Sequence, residues 1–290
     1  MALDINQFEK PIRKLRKILK KMAGNPTPKQ VHDLRTNTRR LEALLEAKEP
    51  DQKERKILKQ VSQLRKRAGK VRDMDVLTAY ACGLTQTGGE AECSVRLLEH
   101  LGAVRKKKAK KLSKLSQEYA PELRKRLKRT SVRLRKNVSR SDSDKNETSS
   151  HITTAALRLL SELQEPATLN QSNLHPYRIK VKDLQNLLRL AKNGSDQEFV
   201  ESLGEVKDSI GEWHDWVELE SIAEALLDHP QCQLLKELHR KTQERFRHAL
   251  ATTANMRKKY VSASDRLRGN KRKGPQPAEP VWSATSALAG

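Results

Sequence analysis

Residues 31–45 have the sequence VHDLRTNTRRLEALL, and a matching frame returns at residues 174–188 as LHPYRIKVKDLQNLL. In each stretch a histidine is followed by an arginine three positions later and by a cation seven positions later. Because an α-helix has about 3.6 residues per turn, these three positions lie on one stripe of the helix. Unpaired cations are rarely buried, so each stripe is predicted to face an anionic partner.

The helix that carries the first stripe is predicted over about residues 28–47. Its opposite side has the spacing of a core-facing helix. The apolar positions on that side are Val31, Leu34, Leu41, Leu44 and Leu45.

The composition predicts an all-α protein. Of the 290 residues, 36% are hydrophobic but only 3% are aromatic, so we expect cores of Leu, Ile, Val and Ala. Leucine with abundant Lys, Arg, Glu and Gln favours helices, whereas runs of strand-forming residues are scarce. A chain of this length forms one large domain or two medium ones.

Helical periodicity and breaker residues divide the chain. Residues 1–138 are predicted to form a first bundle, 139–150 a linker without apolar residues, 151–264 a second bundle and 265–290 a disordered tail. Pro121 is predicted to start a new helix, and the segment after residue 51 forms one long helix or a pair. The predicted helices span about 4–22, 28–47, 51–82, 90–118, 121–138, 151–164, 174–192, 196–227 and 231–259.

Two landmarks indicate an internal repeat. His32 and His175 are 143 positions apart, and Gly69 and Gly211 are 142 apart. An aspartate follows each of these glycines by four positions. With four helices in each unit, the repeat predicts two four-helix bundles related by a pseudo-twofold axis.

The charge is concentrated in one half. The formal net charge is +23, and residues 1–140 hold 38 Lys and Arg against 15 Asp and Glu, whereas residues 141–290 hold 21 of each. Such an excess opposes the compact state, so a polyanion should stabilise the fold. Nucleic acid, polyphosphate and an anionic membrane surface all meet this requirement.

Several classes of protein are disfavoured by the sequence. The three cysteines form no CxxC pair, and no stretch approaches the roughly 20 apolar residues of a membrane span. No signal peptide is recognisable, so we expect a cytoplasmic protein. The phosphate-binding-loop, HExxH and GxSxG motifs are lacking, and we expect no catalysis, no cofactor and no metal.

A metal-dependent phosphohydrolase is a less favoured alternative. Asp73 with Asp75, and His214 with Asp215, offer groups that bind divalent ions. Two positions apart on a helix, however, carboxylates diverge in direction. Such residues more often pair with neighbouring arginines or cap a helix.

The chain resembles the CHAD family, the conserved histidine α-helical domain, over roughly residues 8–260. The resemblance rests on three motifs, His32-x-x-Arg35-x-x-x-Arg39-Arg40-Leu41, Gly69-x-x-Arg72-Asp73-x-Asp75-Val76 and His175-x-x-Arg178-Ile179-x-x-Lys182-x-Leu184. It implies two pseudosymmetric bundles around a basic central groove or pore, with inorganic polyphosphate as ligand, and a place in the cytoplasm at polyphosphate granules. The second half departs from the pattern at Asp183 and Gln185.

The resemblance also implies which residues bind polyphosphate. Arg39 and Arg40 would grip phosphate bidentately, and the first stripe would dominate an asymmetric site. The two histidines would donate hydrogen bonds or orient the arginines. The complete candidate set is His32, Arg35, Arg39, Arg40, Arg65, Arg72, Arg105, Lys108, Arg124, Lys128, His175, Arg178 and Lys182.

Nucleic acid is the main alternative ligand, since phosphate contacts dominate affinity there too. Single-strand binders usually add stacking platforms, yet the basic half offers only Phe8, Tyr80 and Tyr119. A membrane partner is disfavoured because the bundles need the apolar stripes. The oligomeric state is left open.

Overall fold

The computed structural model describes residues 5–22, 24–46, 50–85, 91–138, 145–190, 197–227 and 232–261. Within these ranges every regular element is helical, so the predicted all-α class is confirmed. The helices are α1 (Ile5–Lys21), α2 (Pro28–Glu46), α3 (Gln52–Thr85), α4 (Ala91–Val138), α5 (Lys145–Glu162), α6 (Leu174–Leu190), α7 (Gln197–Leu226) and α8 (Gln233–Met256), followed by a π-helical turn, Arg257–Val261.

The chain divides into two compact units. Unit 1, Met1–Ser143, contains α1 to α4, and unit 2, Asp144–Gly290, contains α5 to α8. Each unit therefore has the four helices that the repeat predicted. The pseudo-twofold relation between the units stays a prediction.

Unit 1 is a bundle in which α1 and α3 both contact α2 and α4. Its core is built of Leu, Ile, Val and Ala, as the composition predicted. On α2 the predicted apolar positions are buried, apart from Leu44, whose side chain lies outside the described residues. Thr38 is also buried there, and its hydroxyl donates to the Leu34 carbonyl oxygen at 2.8 Å.

Unit 2 differs from this prediction, because its core contains aromatic side chains. Helix α6 contacts α5 and α7, and α7 contacts α8. The buried cluster between them includes Tyr177, Phe199, Trp213 and Tyr260. The few aromatic residues of the chain are concentrated here, where their large apolar area adds most to the buried surface.

The segment after residue 51 is a single helix, which is one of the two predicted alternatives. Two other boundaries differ from the sequence prediction: α5 begins at Lys145 inside the predicted linker, and α4 runs through Pro121 without a break. Pro121 removes one backbone donor, but Leu112, Leu123 and Leu127 on either side of it are buried in one core. Packing of that face outweighs one missing hydrogen bond, so the predicted break at Pro121 is wrong. The predicted tail, 265–290, lies outside the described residues.

Helices α2 and α3 each begin with a reciprocal capping box. At α2, the Gln30 amide donates to Thr27 Oγ1 at 3.2 Å, and the Thr27 amide donates to Gln30 Oε1 at 2.9 Å. At α3, the Glu54 amide donates to Asp51 Oδ1 at 2.8 Å, and the Asp51 amide donates to Glu54 Oε2 at 3.2 Å. Each pair satisfies amides that have no partner within the helix, and so fixes where the helix begins.

Arg133, near the C-terminal end of α4, contacts both residues of the α3 capping box. Its Nη1 lies 2.6 Å from Asp51 Oδ2 and its Nη2 lies 2.5 Å from Glu54 Oε1. Glu54 is only 1% exposed. The Glu54 amide, followed by the charge of Arg133, holds the pKa of Asp51 below its ordinary value.

None of the helices in the described ranges is long and apolar enough to cross a membrane.

The contact between Arg133 and Glu54 gives a stability prediction. Arg133→Ala should lower the free energy of unfolding by about 2 kcal/mol, because it removes the cation that contacts the buried Glu54 carboxylate. Urea denaturation measures this change. The control is Arg129→Ala, which removes an exposed arginine one turn away on α4 and should change stability by less than about 0.5 kcal/mol. Equal effects of the two substitutions would contradict a specific role for Arg133.

Candidate anion-binding surface

The first stripe lies on the solvent side of α2. His32, Arg39 and Arg40 are exposed, and Arg35 is half-buried. The His32 ring is 3.5 Å from Thr36 Oγ1, at the limit of a hydrogen bond. The stripe therefore has the exposure that an anion-binding surface requires.

Arg35 is held in place by a glycine on the neighbouring helix. A Cβ atom added at Gly69 of α3 would lie 3.0 Å from Arg35 Nη1. Gly69 is buried, so the guanidinium group lies over the part of α3 that lacks a side chain. The close approach of backbone and arginine fixes the direction of this cation.

Unit 2 repeats this contact. A Cβ atom at Gly211 of α7 would lie 2.7 Å from Arg178 Nη2. Arg178 Nε donates to the carbonyl oxygen of Lys207 at 2.9 Å. In each unit, the arginine three positions after the landmark histidine thus contacts the landmark glycine.

His175 in unit 2 has a second imidazole beside it. The ring centroids of His175 and His214 are 4.8 Å apart. Partial removal from water, then the charges of His214 and Arg178, lower the pKa of His175 from its ordinary 6.5. His214 follows Gly211 by three positions, and Arg72, which is half-buried, follows Gly69 by three in unit 1. The same position therefore carries a permanent charge in unit 1 and a titratable ring in unit 2.

The stripe of unit 2 carries less positive charge. Lys182 Nζ lies 3.8 Å from Asp183 Oδ1, and Asp183 stands where unit 1 has Arg40. Gln185 does not belong to the stripe: it is 1% exposed, and its Nε2 donates to the Val200 carbonyl oxygen at 3.0 Å. Gln185 matches the buried Glu42 of unit 1. The loss of cations thus concerns Asp183 and not Gln185.

Two of the candidate arginines are engaged by carboxylates. Arg65 forms an ion pair with Glu42 of α2. Arg105 Nε lies 2.6 Å from Asp75 Oδ1, so Asp75 pairs with an arginine of another helix, whereas the sequence predicted a neighbouring arginine.

Arg105 also holds the loop between α1 and α2. Its Nη2 donates to the Pro26 carbonyl oxygen at 2.9 Å, and its Nη1 donates to Asn25 Oδ1 at 3.2 Å. With Arg65, it joins helices of the bundle to one another. We therefore place these two arginines in the framework that supports the stripe.

The candidates on α4 lie on different faces of that helix. Lys108 lines a cavity of about 300 Å³ between α3 and α4. Lys128 lines another depression, further along α4, with Lys125 and Arg129. Arg124 is half-buried. Lys108 and Lys128 therefore belong to two separate surfaces of unit 1.

The sequence analysis missed the partners that decide these roles. Gly69 and Gly211 were used as repeat landmarks, but their contacts with the arginines were not predicted. The 142 to 143-residue offset shared by Arg35 with Arg178 and by the glycines was a usable signal. The basic residues around Lys108 were also missed, although Arg67 with Lys70 on α3 and Lys107 with Lys111 on α4 have helical spacings.

The alternative metal-binding groups are dispersed. Asp75 contacts Arg105, and His214 faces His175. Across the ranges that the structure describes, no group of three or more His, Cys, Asp or Glu side chains could hold a metal ion.

Comparisons with known proteins give a family and a fold. A sequence model of the CHAD domain matches residues 7–224. The crystal structure of the CHAD domain from the plant Ricinus communis aligns with a TM-score of 0.54, covering 96% of this chain and 96% of that chain at 16% identity. At this identity the likeness concerns the fold alone. No curated protein matches the chain.

The contact at Gly211 predicts an unusual response to alanine. In an exposed helix, Gly→Ala normally stabilises by roughly 0.5–1 kcal/mol, and Gly102→Ala on α4 should do so because Gly102 has open space around it. Gly211→Ala should instead lower the free energy of unfolding, since its Cβ would displace the Arg178 guanidinium group. Urea denaturation of both variants tests this difference. Similar stabilisation by both substitutions would show that the Arg178 guanidinium group can move away from the new Cβ atom without loss of stability.

The lowered pKa of His175 predicts a pH dependence of stability. The unfolded chain takes up this proton near pH 6.5, whereas the folded chain does so only at lower pH. Between these values the unfolded state holds more protons, so the free energy of unfolding falls as the pH falls below 6.5. Urea denaturation at pH 7.5 and 5.5 should show a larger loss for the wild type than for His175→Gln. Equal losses would contradict this assignment.

Proposed function

The chain belongs to the CHAD domain family, and from this premise we propose that it binds inorganic polyphosphate through the α2 stripe, without catalysing a reaction on it. The α2 stripe here means His32, Arg35, Arg39 and Arg40, with Arg72 beside it on α3. In this proposal the protein acts in the cytoplasm, at polyphosphate granules.

The observation that carries the proposal is the arginine held over Gly69. Neither Arg35 nor Arg40 forms an ion pair with a residue in the described ranges, whereas Arg65 and Arg105 are engaged by carboxylates. The Arg35 side chain is thus oriented by the fold, and neither Arg35 nor Arg40 is neutralised by a residue that the structure describes. An oriented and exposed set of cations favours an external anion.

The chemistry of the stripe suits a chain of phosphates. Polyphosphate offers only oxygen acceptors and about one negative charge per unit. Arginine binds such groups with a planar fork of donors, and adjacent units can engage successive turns of a helix. Such a ligand needs no group that recognises a base.

In this proposal, unit 2 contributes less than unit 1 to the binding of polyphosphate. Its Arg178 donates one N–H to the Lys207 carbonyl oxygen, and Lys182 lies beside Asp183. The lowered pKa of His175 favours the neutral ring at pH 7. We therefore propose that unit 2 binds polyphosphate more weakly than unit 1.

Nucleic acid is the competing ligand because its phosphates meet the same electrostatic requirement. Against it, the Tyr119 hydroxyl donates to Gln63, and both Tyr80 and Tyr119 are half-buried. A nucleobase needs an accessible aromatic face on which to stack. This supports polyphosphate over a single-stranded nucleic acid.

The proposal predicts a specific loss of affinity from the α2 stripe. Arg39→Ala combined with Arg40→Ala should weaken binding of long-chain polyphosphate more than tenfold in low salt, because two bidentate contacts are removed. The control is Lys17→Ala combined with Lys20→Ala, which removes the same charge from exposed positions of α1. Isothermal titration calorimetry measures both. Matching losses would mean that attraction is diffuse.

Three comparisons on the wild type separate this function from its alternatives. Long-chain polyphosphate should bind far more tightly than orthophosphate, and equal affinities would contradict a multisite surface. Duplex DNA or RNA at equal phosphate concentration should not displace it. Steady orthophosphate release with Mg²⁺ or Mn²⁺, abolished by Asp73→Asn, would show that the protein is an enzyme.

A further inference from the structure

A groove between α3 and α4 carries a second group of cations. It has a volume of about 300 Å³. Its lining consists of Arg67, Lys70, Val104, Lys107, Lys108 and Lys111. We call this feature the α3–α4 groove.

The residues that the structure describes supply no counter-charge to the cations of the groove. No acidic side chain lines the groove, and none of its five cations forms an ion pair with a residue that the structure describes. By contrast, Arg105 and Arg133 on the same helix both face carboxylates. Bringing five like charges together opposes folding, and an anion bound among them would remove that repulsion.

The groove is connected to the α2 stripe over the surface of α3. At about 100° per residue, Lys66, Lys70 and Arg67 lie roughly 60°, 100° and 160° around the helix from Gly69. Gly69 is the residue over which Arg35 lies. Lys66, Lys70 and Arg67 are all exposed. A continuous row of cations thus leads from Arg35, across one turn of α3, into the groove.

We propose that the α3–α4 groove is a second subsite for polyphosphate, and that one chain runs from the α2 stripe over α3 into the groove. This inference rests on the proposed function. It adds a physical basis for chain-length preference, because only a chain long enough to span both subsites gains from both. Joining two subsites through one ligand makes the second contact intramolecular and raises the overall affinity.

The lining of the groove favours polyphosphate over a nucleic acid. Val104 is its one apolar side chain, and no aromatic ring is among its lining residues. A nucleic acid that entered the groove would gain contacts to its phosphates but none to its bases. An unbranched chain of phosphates can place every unit against a cation.

The test compares two neighbouring pairs of lysines on α4. Lys107→Gln with Lys111→Gln removes two groove cations, and Lys106→Gln with Lys110→Gln removes two that do not line the groove. All four side chains are exposed, and glutamine has nearly the same helix propensity as lysine. Thermal unfolding without ligand should show that both variants are folded.

Calorimetry with long-chain polyphosphate should give about a tenfold loss for the groove variant and less than about a twofold loss for the control. The slope of log K against log salt should fall by about two for the groove variant. Inorganic triphosphate is too short to span both subsites. The groove variant should therefore bind fewer triphosphate ions per protein molecule than the wild type, while the remaining site keeps its affinity.

Two results would overturn the inference while leaving the proposed function intact. One is equal weakening by the groove and control variants, and the other is a groove variant that weakens single-stranded DNA binding as strongly as polyphosphate binding. If the wild type does not bind polyphosphate at all, the proposed function itself fails.

Discussion

The contact between an arginine and a glycine on adjacent helices is the constraint on which this molecule depends. Arg35 lies against the bare backbone of Gly69, and Arg178 lies against that of Gly211. The contact couples two requirements, because the helices must approach closely enough to form a core while a cation remains at the edge of that core. A Cβ atom at Gly211 would displace the Arg178 guanidinium group, whereas one at Gly69 would shift Arg35 Nη1 slightly. The bundle and the cationic stripe are therefore parts of one arrangement.

The excess of positive charge has two different uses in unit 1. Some arginines, such as Arg65, Arg105 and Arg133, meet carboxylates and join helices that are distant in sequence. Other cations, such as Arg35 and Arg40 on the stripe and Lys107 in the groove, form no ion pair with a residue that the structure describes. The first group helps to hold the bundle in one shape, and the second gives that shape its attraction for anions. Net charge alone does not distinguish the two groups.

Local patterns in the sequence were sufficient for the all-α class, for four helices in each unit and for the exposure of the α2 stripe. Periodicity placed α2 within about a residue of its observed ends, and the spacing of His32, Arg35 and Arg39 placed them on one face. What the sequence could not show was pairing between helices, such as Arg105 with Asp75, 30 positions apart. The predicted helix break at Pro121 was wrong for a related reason. The local preference of proline to end a helix was outweighed by core packing on both sides of it. Roles decided by tertiary contacts were the ones missed.

The capping box of α3 has a consequence for how unit 1 opens. Because Arg133 bonds both Asp51 and Glu54, the start of α3 and the last turns of α4 are tied at one point, although 79 to 82 positions separate them. Ends of helices normally fray independently, with fast exchange of their amide hydrogens. Here the fraying of one end removes the anchor of the other, so their amides should exchange together. Two distant segments of the chain thus behave as a single cooperative opening unit.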